Sequence, residues 1–78
     1  MASIWILNKI EYIEYSNHPK VTTLGRFAKK PTFEEIKEKV TDWNCDPLIG
    51  AILRNDTEVM ARYIGHNLEY SLFECTLD

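Results

Sequence analysis

Seventy-eight residues, 45% of them hydrophobic and 27% charged, suffice for one small folded domain and argue against a disordered chain. The longest uncharged apolar run, Ile4 to Leu7, is far too short to cross a bilayer, and the N-terminus lacks the basic start and cleavage site of a signal peptide, so a cytoplasmic protein without membrane contact is expected. The net charge of −3 is unevenly spread: residues 20–33 carry Lys20, Arg26, Lys29 and Lys30 with no acid, while residues 34–78 carry ten acids against four bases.

Ser3 to Tyr15 reads as a long strand, with Ile4, Ile6, Ile10 and Tyr12 on one side and Trp5, Leu7, Ile13 and Tyr15 on the other. Ser16-Asn17-His18-Pro19 is a turn cluster, so Val21 to Ala28 is expected to fold back as a hairpin partner, with Gly25 marking a bulge or a close backbone approach. Lys30-Pro31-Thr32-Phe33-Glu34-Glu35 then announces a helix. Thr32 is placed to cap it and Glu35 to reach back to the cap, while Phe33, Ile36, Val40 and Trp43 recur at helical spacing up to an end near Thr41 to Asn44.

A second, shorter helix is signalled by Asp46 as cap and Pro47 at the first helical position, with Leu48, Ile49, Ile52 and Leu53 as its apolar face and Asn55 to close it. Residues 57–64 fit two patterns. Val59, Ala61 and Tyr63 alternate as in a strand, whereas Val59, Met60, Tyr63 and Ile64 recur as in a helix; the turn signal Gly65-His66-Asn67 favours the strand. Leu68 to Leu77 is a clear closing strand. The expected fold is therefore α+β, a small antiparallel sheet in the order strand, strand, helix, short helix, strand, strand, with the helices on one face and residues 1–78 forming a single domain.

Motifs that would carry chemistry are sparse. Gly25, Gly50 and Gly65 are isolated, which does not make a phosphate-binding loop, and Ser3, Ser16 and Ser71 have no surrounding nucleophile signature. Cys45 and Cys75 are thirty positions apart and read as free thiols; combining them with His18 and His66 lacks the spacing of a zinc site. No enzymatic activity, cofactor or metal is expected. The arm containing Lys20, Arg26, Lys29 and Lys30 near Phe27 gives a secondary expectation of nucleic-acid contact, weighed against a solvated hairpin whose Phe27 belongs to the core.

Trp5-Ile6-Leu7, the segment Gly25-Arg26-Phe27-Ala28-Lys29-Lys30-Pro31-Thr32 leading into a helix, and the closing strand Leu68-Glu69-Tyr70-Ser71-Leu72 together resemble small uncharacterised domains of phages and bacteria. That resemblance covers most of the chain and implies no catalytic residue. It implies an accessory protein of the phage type, one that binds a host protein and inhibits or redirects it.

One helical layer covers only one face of a sheet. With Ile4 and Ile6 taken as the covered side, Trp5, Leu7, Ile13 and Tyr15 remain on the opposite face, joined by Phe73 and Cys75 if the last strand is adjacent. These residues form the expected protein interface, for a partner protein or for self-association.

Overall fold

The computed structural model describes residues 2–43, 45–65 and 67–77. Their elements run β1 (Ala2–Glu11), β2 (Lys20–Phe27), α1 (Phe33–Lys39), α2 (Asp46–Arg54), α3 (Thr57–Ile64) and β3 (Leu68–Leu77). The result is a three-stranded antiparallel sheet in the order β2-β1-β3, with three helices: the small α+β fold expected, with one element exchanged. Residues 57–64 are a helix, not a strand. Asp56 caps it by accepting a hydrogen bond from the Val59 N–H at 3.4 Å, and Met60 and Ile64, four residues apart, are its buried pair. Ala61 and Tyr63, which made the segment alternate, lie exposed.

β1 is central because it pairs along its length with both neighbours. Ala2 to Glu11 faces Leu77 to Leu68 on one side, and Trp5 to Glu11 faces Phe27 to Lys20 on the other. The strand stops at Glu11, four residues short of Tyr15. Tyr12 N–H still reaches the Asn67 carbonyl at 2.9 Å, but the Ile13 carbonyl accepts from Ser16 N–H at 3.1 Å, and Tyr15 adopts φ 67° in the resulting turn. The register of β2 slips between Leu7 and Asn8, so Leu24 is an extra residue next to Gly25. A side chain at Gly25 would begin 2.9 Å from the Phe27 ring and 3.6 Å from Lys39 on α1. This is the close approach that needs glycine.

The capping box of α1 forms as its residues dictate. Thr32 Oγ1 accepts from Glu35 N–H at 3.3 Å, and Glu35 Oε1 accepts from Thr32 N–H at 3.1 Å. α1 ends at Val40, so Trp43 lies beyond the helix and exposed, and Asn44 lies outside the described residues. In α2, Asp46 is the first helical residue and Cys45 holds the cap position, with no side-chain cap bond. Asn55 closes that helix in the left-handed region at φ 59°.

The core forms where the helices meet the sheet. Ile36 and Val40 of α1 and its cap, Leu48, Ile49, Ala51 and Ile52 of α2, and Met60 and Ile64 of α3 form one cluster with Leu7, Tyr70 and Leu72 of the sheet. Two substitutions separate the cap from this packing. Thr32→Ala should cost about 1 kcal/mol by removing one end of the capping box. Ile36→Ala should cost about 2–4 kcal/mol by emptying the centre of the cluster. Urea titrations measure both, and an Ile36→Ala protein as stable as the parent would contradict this core.

Candidate binding face

Strand alternation and register fix what each side of the sheet carries. On the helix side, Leu7 lies between Gly25 and Leu72, Lys9 beside Tyr70, and Trp5 between Phe27 and Glu74. On the other side Ile10 lies between Val21 and Glu69, Asn8 between Thr23 and Ser71, and Ile6 between Arg26 and Phe73. Ile4 follows beside Cys75. Ile4, Ile6 and Ile10 are half-buried by their strand neighbours and stand outside the core cluster, while Phe73, Val21 and Leu77 are exposed. The helices therefore cover the Trp5 and Leu7 side and leave the isoleucine side bare.

This corrects the expectation from the sequence, residue by residue. Leu7 has 0% of its surface exposed and is part of the core. Trp5 is half-buried against that core, with the Lys30 ammonium 5.7 Å from its ring centroid. Ile13 and Tyr15 are exposed, at 52% and 100%, but they belong to the turn after β1 and share no face with Leu7. The physical reason lies in the neighbours of β1. Leu68, Tyr70 and Leu72 present an unbroken apolar row on one side of β3, and Gly25 leaves room on that same side for α1. Three isoleucines on the other side of β1 look like a core when read alone.

The polar groups on the covered side sit at its margin. Lys9 donates to Asp42, just after α1, and lies 3.9 Å from Glu11; the bond to Asp42 holds its ammonium above the usual lysine range. Burial, with Asp42 nearby, raises the phenol of Tyr70. At the sheet end beside α3, a groove of about 250 Å³ is lined by Tyr12, Met60, Ala61, Ile64, Leu68 and Glu69. Of its polar side chains, Tyr12 and Glu69 are already engaged with each other, Tyr12 donating to Glu69 at 2.7 Å, and that bond raises the Tyr12 phenol.

On the bare side one polar atom stands out. The Asn8 side-chain oxygen, in the middle row of the sheet, is shut off from water with no donor to it. Asn8 marks the centre of the uncovered face, between Thr23 and Ser71.

The basic arm does not converge on one spot. Lys20 begins β2 opposite Glu11, and Arg26 lies near its other end opposite Ile6, some six residues or roughly 20 Å away along the strand. Phe27 turns toward the helices and packs on the core, so it offers no free stacking surface. Among the described residues no ion pair includes Lys20, Arg26, Lys29 or Lys30. Cys45 and Cys75 are free thiols, and no group of three metal-ligating side chains occurs among the described residues. His66, part of the zinc combination weighed from the sequence, lies outside them. No helix among the described residues is long and apolar enough to cross a membrane.

Two neighbouring residues of β1 test which side is covered. Leu7→Lys should prevent cooperative folding, because it places an ammonium in the middle of the core. Ile6→Lys should keep near-parental helical content by circular dichroism and lose no more than about 1 kcal/mol in urea, since its head can stay in water. Equal damage by the two would contradict the placement of the helices. Comparison of the chain with protein-family models, with curated proteins and with solved structures finds no match.

Proposed function

We propose that this chain is a small non-enzymatic protein-binding module that engages its partner through the bare face of its sheet. The observation that carries this reading is the row Ile4, Ile6 and Ile10 on the central strand, outside the core cluster and flanked by exposed Val21 and Phe73. Full burial of such a side chain is worth roughly 1.5–3 kcal/mol, of which the half-buried isoleucines forgo a part that contact with another protein recovers. The resemblance to small phage and bacterial domains adds a setting, an accessory protein that occupies a host protein and inhibits or redirects it. The exposed Ile13 and Tyr15 stand in the turn beyond β1, at the Ile10 end of the same sheet, where they would extend such a contact.

Nucleic-acid binding by residues 20–30 is the weaker reading. The separation of Lys20 from Arg26 and the inward position of Phe27 leave fewer phosphate contacts and no stacking platform.

A pull-down from native host lysate with the parent and with Ile6→Lys tests the proposal. A protein held by the parent through a high-salt wash and lost with Ile6→Lys is expected, because apolar contacts survive salt that releases phosphate contacts. Identical proteins on both baits would place the contact elsewhere. Binding of a short oligonucleotide that is lost on charge reversal of Lys29 and Lys30 would favour the nucleic-acid reading.

A further inference from the structure

We infer that the bare face is self-complementary and that a second copy of this chain packs on it, face to face about a two-fold axis. This rests on the reading of that face as a protein-binding surface and names one occupant for it. The pattern lies in three rows of the sheet. Asn8 is at the centre; Val21 and Phe73 occupy the two ends of one diagonal, and Arg26 and Glu69 the two ends of the other.

A two-fold axis in the plane between two facing sheets superimposes each point of one face on its mirror position across that axis. Lay the axis along the diagonal from Val21 through Asn8 to Phe73. Phe73 then meets Phe73 of the second copy, and Val21 meets Val21. Asn8 meets Asn8, and Arg26 of each copy projects within about 6 Å of Glu69 of the other, a gap that the two long side chains can span. Like apolar groups meet and opposite charges meet, twice each. With residues of one face about 6.8 Å apart along a strand and strands about 4.8 Å apart, the strands of the two copies cross at roughly 70°, toward the orthogonal class of sheet packing.

Two further observations fit this arrangement. Arg26 has no ion-pair partner within its own chain among the described residues. Within one chain, Arg26 and Glu69 lie on opposite outer strands about 17 Å apart by strand spacing, too far to pair, so their attraction is available only between copies.

About 26 Å of β1 and three strand widths give roughly 400 Å² per copy, below a standard interface, so the dimer is a weak one.

Sedimentation equilibrium on the full chain, run from micromolar to millimolar concentration, tests this with a charge exchange. The parent should dimerise. Arg26→Glu and Glu69→Arg, each alone, should weaken that dimer at least about tenfold, because each puts two like-charge contacts across the axis. Mixed in equal amounts, the two variants should associate with each other, since every contact is then between opposite charges. Phe73→Lys, on the axis, should also dissociate the dimer while keeping parental circular dichroism; it reads the same face if Glu69→Arg loses its fold with the Tyr12 bond. A parent that stays monomeric at millimolar concentration overturns the inference, as do single variants as dimeric as the parent or a mixture that does not associate. A monomeric parent whose lysate partner is still lost with Ile6→Lys would separate this failure from that of the binding face itself.

Discussion

Everything in this fold turns on β1 having two apolar sides and the chain having one helical layer. Strand side chains alternate, so Leu7 and Ile6 cannot lie under the same helices. The helices take the Leu7 side. With it go Tyr70 and Leu72 from β3 and the buried residues of all three helices, the whole core cluster. The cost is a second side that keeps Ile4, Ile6, Ile10 and Phe73 outside that core. In a chain of 78 residues no further layer is available among the described elements to cover it. The functional proposal is this geometric remainder put to use.

Local chemistry was legible where the signal sits in adjacent residues. The Thr32 and Glu35 capping box, Asn55 as the left-handed closing residue of α2, and the need for glycine at position 25 all depend on neighbours in sequence or on one tight contact. The helix over residues 57–64 was missed because Val59, Ala61 and Tyr63 alternate, while the competing signals, the Asp56 cap and the Met60 and Ile64 pair, are equally short. The choice of covered face was missed for a different reason. Four apolar residues in a row, Ile4 to Leu7, give both sides of β1 the same appearance, and which side wins is decided by β3, by Gly25 and by α1. That information is tertiary. The polar residues of β1 do not decide it either, since Asn8 interrupts the isoleucine row while Lys9 and Glu11 follow Leu7 on the other side.

Charge follows the same division of the sheet. β2 carries Lys20 and Arg26 along one edge and β3 carries Glu69 and Glu74 along the other, so the sheet is polarised from a positive to a negative edge, while the excess of acid over base lies outside the strands. The extra residue Leu24 and the two cations blunt the β2 edge against pairing with another strand.

The placement of the helices is tested most directly by the isoleucine methyl groups, which report on both sides of the sheet in one spectrum. A soluble gadolinium chelate added to dilute protein relaxes methyls according to their distance from solvent. Strong relaxation at Ile4, Ile6 and Ile10, with Ile36, Ile49 and Ile52 protected, is the expected result. Methyls of Ile6 as protected as those of Ile36 in the monomer would mean that the isoleucine face is covered after all, and the binding face described here would not exist.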